Sequence, residues 1–275
     1  MMNYIKKSPK YIIIAVITFT SLFPFLWMIT TAIRKSNEIF TIPPRIFPHE
    51  PTWINFRTVL FESEIPRYFL NSILVAIMTT ILCLAFSIPA GYSLARFKYK
   101  SKYALSVSIL FCQMIPQVST LIPLYITMEK IGLVNTRVGL SLSHQLLVIP
   151  FAVWMIRGFI VSIPKSLEES AMIDGCSRIG TILRIIIPVG ASGIFATSLY
   201  IWILAWEEFP YALTFINTSA LRTISVGIDQ FSSEYQVDWG SVMTTSLLMT
   251  LPIVTMFYLI QDKFIKGIVE GALKE

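Results

Sequence analysis

Six stretches of the 275-residue chain contain no Lys, Arg, Asp or Glu: 11–33, 68–95, 103–128, 138–156, 185–206 and 239–261. They run from 19 to 28 residues and add up to 141, just over half the chain. A helix of roughly 20 apolar residues crosses about 30 Å of hydrocarbon, whereas a buried helix of a soluble core seldom stays apolar beyond about 14. Within lipid every backbone polar group must be satisfied inside its own segment, which selects helices. The pattern predicts an all-α integral membrane protein: six transmembrane helices in one domain spanning residues 1–275. The first window holds 23 residues, longer than the apolar core of a signal peptide (about 7–15), and no small-x-small cleavage site follows it. It reads as a retained helix.

The loops set the orientation. Segments 1–10, 96–102, 157–184 and 262–275 lie on one side and hold 14 of the 22 Lys and Arg; segments 34–67, 129–137 and 207–238 hold the other 8. Positive residues in short loops favour the cytoplasm, so both termini are expected to be cytoplasmic. The clearest markers are Lys6, Lys7 and Lys10, and the cluster Arg96, Lys98, Lys100 and Lys102. The net charge of +6 follows from this bias and calls for no nucleic-acid partner. Tyr11, Tyr68, Tyr103, Trp206 and Trp239 fall near span ends, the depth at which aromatic residues meet membrane lipid.

Composition agrees. The chain is 55% hydrophobic and 14% charged, against about 45–50% and 25% in soluble domains. Cys83, Cys112 and Cys176 are odd in number and lack metal-ligand spacing. No phosphate-cradling G-x4-G-K-[ST], H-E-x-x-H or G-x-S-x-G occurs, so no catalytic residue, metal ligand or cofactor is expected in this chain. His49 and His144 have no paired ligands in the sequence, and His144 reads as a packing or hydrogen-bonded residue. The ionisable relay of a proton-coupled pump is missing from all six windows, and no internal repeat supports an inverted-repeat transporter. Energy for any transport must come from outside the chain.

Punctuation adds detail. Segment 34–67 carries Pro43, Pro44, Pro48, Pro51 and Pro66 and should be irregular, with a short helix near 53–61. Residues 209–221 are apolar but too short for a seventh span; they suit a continuation of the fifth helix or an interfacial stretch. Pro24, Pro89, Pro116, Pro123, Pro150 and Pro252 lie within spans. Membrane helices tolerate proline where neighbours re-satisfy the freed carbonyl; the sharper alternative is that kinks at Pro116 and Pro123 shape a pathway.

The long inner loop, 157–184, is the most informative. Ser166 and Glu169 stand in capping-box register for a helix starting near Leu167. Gly175 is placed as the left-handed residue that ends it. Ser177 can cap a second helix, in which Ile179, Ile182, Leu183 and Ile186 recur at i, i+3, i+4, i+7 as one amphipathic face. Pro188 marks entry to the fifth span. A helix of about two turns is poorly stable alone; it suits either a knob that docks into another protein or a linker lying on lipid headgroups.

Glu169-Ser170-Ala171, three residues, Gly175, nine residues and Ile185-Ile186-Ile187-Pro188 resemble the cytoplasmic loop of binding-protein-dependent ABC importer permeases, E-A-A-x3-G-x9-I-x-L-P. Ser170 and Ile187 depart from that pattern, and the spacing is intact. Flanking segments 163–169 and 173–177, Gly91-Tyr92-Ser93-Leu94-Ala95-Arg96-Phe97, Ile131-Gly132-Leu133-Val134-Asn135-Thr136 and Trp206-Glu207-Glu208-Phe209 are similar to the sugar-importer branch, relatives of the smaller maltose-importer permease. The likeness covers about residues 10–275. It implies a multi-pass permease of the bacterial plasma membrane that translocates a sugar delivered by an external binding protein. It also implies partners: a second permease chain and two ATPase subunits that bind ATP and Mg in its stead. Glu169, Ser170, Ala171, Asp174 and Gly175 would then form the contact with the ATPase, Glu169 capping the helix and meeting a positive group, small Ala171 allowing close approach. Arg157 and Arg178 would be headgroup anchors.

Substrate-pathway candidates are weaker. Gln113 falls about 16 Å into the third span at a rise of about 1.5 Å per residue; Ser198 and Tyr200 are also near mid-depth. Such groups line a pathway or serve as packing glue between helices. A phosphate substrate, such as glycerol phosphate, would favour Arg or Lys in the pathway; no span holds one, which leans toward an uncharged sugar. A secondary transporter or a membrane enzyme would need intramembrane relays or paired nucleophiles that the windows lack.

Overall fold

The computed structural model describes residues 8–233 and 236–272. Among these the chain is helical: α1 (Ser8–Ala32), α2 (Ser36–Ile39), α3 (Ile54–Phe61), α4 (Ile65–Arg96), α5 (Lys102–Cys112), α6 (Gln117–Lys130), α7 (Arg137–Ser162), α8 (Lys165–Ile173), α9 (Arg178–Val189), α10 (Ala191–Glu207), α11 (Pro210–Phe215), α12 (Ile224–Gly227) and α13 (Trp239–Ala272). α1, α4, α7 and α13 are each long and apolar enough to cross a membrane. The third and fifth windows are not the continuous helices expected: α5 meets α6 at 99° and α9 meets α10 at 84°. The first break falls at 113–116, where Pro116 lacks an N–H and disfavours helix before it. The second falls at Gly190. Pro24, Pro89, Pro123, Pro150 and Pro252 all stay inside helices, so of the two expected kinks only the one at Pro116 is a break.

Contacts divide the chain into two units. The first comprises residues 1–66 and 227–255. Its α1 leaves every side chain from Lys10 to Leu26 uncovered, an apolar surface matched to hydrocarbon rather than water. The segment after α1 is held by buried polar groups. Arg34 donates to the carbonyls of Arg45 (2.8 Å) and Ile46 (3.1 Å) and lies over the Trp27 ring. Asn55, on the expected short helix α3, donates to the carbonyls of Ala32 (2.8 Å) and Arg34 (2.9 Å). Gly240 sits so close to Asn55 that a β-carbon would fall 2.6 Å from the amide.

The second unit comprises residues 67–226 and 256–275, and α7 is its centre. Its register with α4 is constant. Arg137 bonds Asn71, Ser141 meets the Val75 carbonyl and Gln145 the Thr79 carbonyl, each pair 66 residues apart. Two helices in constant register run parallel. The chain between them therefore crosses once, which makes α5 and α6 a single broken span. α10 runs back along α7: Glu208 beside His144, Tyr200 against Phe151, Gly193 beside Phe159. Three apolar tiers fill the seam, around Val75, Leu140 and Phe215, then Cys83, Val148, Ala152 and Ile201, then Tyr92, Ile156, Ile160 and Ile186.

Candidate functional site

The chain leaves α7 at Ser162, and Pro164 starts α8 without a side-chain cap. The helix therefore begins at Lys165, two residues earlier than the capping box required. Ser166 lies inside it rather than ahead of it, and neither Ser166 nor Glu169 caps it. Its end is as expected. The Gly175 N–H donates to Met172 O (3.1 Å) and the Cys176 N–H to Ala171 O (3.0 Å), while Gly175 takes φ +84°. This is a Schellman end, in which a left-handed residue satisfies carbonyls the helix would orphan.

The faces of α8 differ sharply. Glu168 and Ala171, three apart, turn inward and are 4% and 7% exposed. The Glu168 carboxylate pairs with Arg96 at the end of α4 and accepts from the Tyr92 hydroxyl (3.0 Å). Arg96 also donates to Ile163 O (2.7 Å). Glu169, Ser170, Asp174 and Gly175 are exposed, together with Leu167, Met172 and Ile173, the last at 85%. Ala171 thus does not face outward as expected; its small side chain lets α8 sit close to its own chain. Glu168 was missed because acidic neighbours look alike without their partners. Its signal was phase: it shares a face with Ala171, and Arg96 ends a helix inside the basic cluster 96–102.

Beyond α8, Ser177 caps α9 as expected, accepting from the Gly180 N–H (3.1 Å). The amphipathic face does not form: Ile186 is buried, but Ile179 and Leu183 are 71% and 59% exposed. Residues Ile182–Ile186 adopt a π-turn, whose wider pitch shifts the register. The exposed Arg178 places its guanidinium over the Phe97 ring at 4.9 Å. That of Arg157 stacks over Trp154 at 4.8 Å.

The pathway candidates scatter. Gln113 is exposed at the C-cap of α5, in the break. Ser198 donates to Ile194 O in its own helix (2.7 Å). Tyr200 packs tilted against Phe151 with centroids 4.2 Å apart. No hydrogen bond or ring contact joins the three among the described residues.

A second polar centre lies at the far end of α10. The helix stops at Glu207 and Glu208 turns extended, so the apolar stretch after it is the separate helix α11 and not a continuation. The buried Glu208 carboxylate accepts four donors: Gln117 Nε2 (2.9 Å), the N–H groups of Tyr211 (2.8 Å) and Ala212 (3.0 Å), and His144 Nε2 at 3.2 Å. His144 is hydrogen-bonded, as expected of it. The Tyr211 hydroxyl lies 2.6 Å from that of Thr120, and Ser225 donates to Glu208 O (2.7 Å). The Glu208 carboxylate thereby joins α6, α7 and α11, and its backbone carbonyl adds α12.

Comparison with known proteins converges on one family. The chain is 35% identical over 256 residues to the trehalose/maltose transport system permease protein MalG of Thermococcus litoralis, covering 92% of this chain and 91% of that one. It is 31% identical over 268 residues to the sulfoquinovosyl glycerol transport system permease protein SmoH of Agrobacterium fabrum, covering 98% and 94%. A chain in the crystal structure of a bacterial ABC transporter involved in alginate import superposes with a TM-score of 0.83 at 16% identity, covering 96% and 98%, which shows the shared fold. Residues 87–270 match the family of binding-protein-dependent transport system inner membrane components, and the chain, a multi-pass permease of the inner membrane, belongs to that family.

Proposed function

We propose that this chain is one permease of an ATP-driven importer, moving a carbohydrate handed over by an external binding protein, with hydrolysis confined to two partner ATPase subunits. A second, different permease chain completes the pathway. The observation that carries the reading is the whole-chain likeness to permeases named for trehalose/maltose and for sulfoquinovosyl glycerol transport. Local geometry supports it. α8 is a knob closed by a Schellman end between two crossings, with Leu167, Met172 and Ile173 exposed beside the exposed carboxylates of Glu169 and Asp174. Apolar side chains so exposed at a loop call for a covering partner. In this reading α8 docks in a cleft of the ATPase: Glu169 meets a basic group, and Ser170, Asp174 and Gly175 line the contact. Ala171 faces inward and lets the helix sit close to its own chain. Both termini are cytoplasmic, and Gln113, Ser198 and Tyr200 supply polar groups along the translocation route.

The test is reconstitution of the chain with its partner subunits in proteoliposomes. A carbohydrate-loaded binding protein should stimulate hydrolysis and drive uptake. Uptake that persists without the ATPases, or hydrolysis indifferent to every loaded carbohydrate-binding protein, refutes the reading.

A further inference from the structure

We propose that the Arg96–Glu168 pair is a positioning device that ties α8 to the end of α4, so that movement of α8 reaches a crossing to which the chain does not directly connect it. The inference rests on the coupling role proposed above. By connectivity α8 leads only to α7 and to α9–α10. Arg96 lies 72 residues earlier, yet its guanidinium grips both the Glu168 carboxylate and the Ile163 carbonyl. Tyr92, one turn back along α4, adds its hydroxyl to the same carboxylate. Phe97, the next residue, supports Arg178 at the start of α9 and packs edge-on against Tyr92. The last turn of α4 and the residue after it therefore hold the loop at three successive points: 163, 168 and 178.

A buried ion pair is weak evidence for stability, because desolvation offsets attraction and an apolar pair often serves as well. What it adds is direction. Both side chains are more than nine-tenths buried, at 8% and 5% exposure, and a guanidinium fork bonded to a carboxylate and a carbonyl fixes position in a way that apolar contact does not. Ala171, the other inward residue of α8, presents one methyl group and could slide.

The test uses the full importer in proteoliposomes. Arg96→Gln and Glu168→Gln each leave a buried charge unpaired, so the informative variant is the apolar pair Arg96→Met/Glu168→Leu with Tyr92→Phe, which leaves no buried charge and no buried hydroxyl without its partner. It should keep the wild-type denaturation temperature and still co-purify with the ATPase subunits. ATP consumed per substrate imported should rise about tenfold, within the usual range of coupling between sites. Spin labels at Lys98→Cys and Lys165→Cys, in a background lacking the three native cysteines, should give a separation that ATP leaves unchanged when the ion pair is present. In the apolar pair the separation should broaden or shift. Wild-type coupling in the apolar pair overturns the proposal, as does a label distance that changes with ATP when Arg96 and Glu168 are intact. If the coupling role of α8 is itself wrong, Glu169→Lys and Gly175→Val are silent too. If those two uncouple while the apolar pair does not, this inference alone has failed.

Discussion

The end of α8 offers a graded perturbation. Gly175 sits at φ +84° with nothing within 4 Å of where a β-carbon would stand. A side chain there meets no neighbour, so its whole cost is backbone conformation. An L-residue held in the left-handed region costs about 1–2 kcal/mol, and a β-branched one more. The chain can instead retreat to negative φ. It then gives up the bonds from Gly175 and Cys176 to Met172 and Ala171, each worth about 1 kcal/mol net. Either route costs about 1–2 kcal/mol, which lowers the population of the native loop end roughly 5–30-fold. Asparagine enters the left-handed region more readily. The expected order of coupled activity is therefore Gly175, Gly175→Asn, Gly175→Ala, Gly175→Val. Because the strain is local to a nine-residue helix, each variant should remain in the membrane. The assay is retention of the ATPase subunits on purification, with hydrolysis measured with and without loaded binding protein. Binding of substrate to the external protein is the control that must not move. Wild-type stimulation in Gly175→Val, or Gly175→Asn as impaired as Gly175→Val, refutes the reasoning.

Topology is checked by cysteine labelling from outside intact cells: Glu50→Cys and Arg222→Cys should react with an impermeant reagent and Ser166→Cys should not. Glu208→Ala removes the acceptor of several buried donors, each costing about 1–3 kcal/mol when unpaired; thermal denaturation should show a far larger loss than for the exposed neighbour Glu207→Ala. Gly193→Ala places a methyl 2.1 Å from the Phe159 ring and should cost about 1–3 kcal/mol by overpacking, with Phe159→Ala in the same chain recovering part of the loss of denaturation temperature. Lys35 hydrogen-bonds Glu50, which raises the lysine's pKa and lowers the glutamate's. Any stabilisation by this exposed pair should therefore hold at neutral pH, fade as acid passes below the ordinary carboxylate range, and fade again only above the ordinary lysine range, as read from the difference between wild type and Glu50→Gln.

Span positions were legible because a charge inside hydrocarbon is costly wherever it falls, so its absence is a local signal that needs no partner. The breaks were not. Pro116 and Pro123 are the same residue in the same window, yet α6 begins just after one and runs through the other. Only the first is followed by a residue, Gln117, that is tied to Glu208 across 91 residues. The Gly175 end was legible because a left-handed turn restricts residue type on its own. The start of α8 and the phase of α9 were not, since Pro164 took the place of the capping box and a π-turn rotated the face. The Schellman end and the Ser177 cap are local; the anchor of α8 is a contact between distant helices.

Two glutamate doublets show how far that distinction reaches. In each, one member is buried and one exposed: Glu168 against Glu169, and Glu208 against Glu207. Composition and spacing treat the members alike. The buried one is selected by what waits inside, Arg96 and Tyr92 for the first and His144, Gln117 and two backbone N–H groups for the second. An ionised carboxylate is tolerated in such surroundings only when it is fully bonded. Each buried glutamate therefore fixes how α8 or α11 sits against the crossings, while its neighbour stays in contact with solvent. Removing the buried charge, as in Glu168→Gln or Glu208→Gln, alters the frame. The same change at Glu169 alters only what the frame presents to a partner.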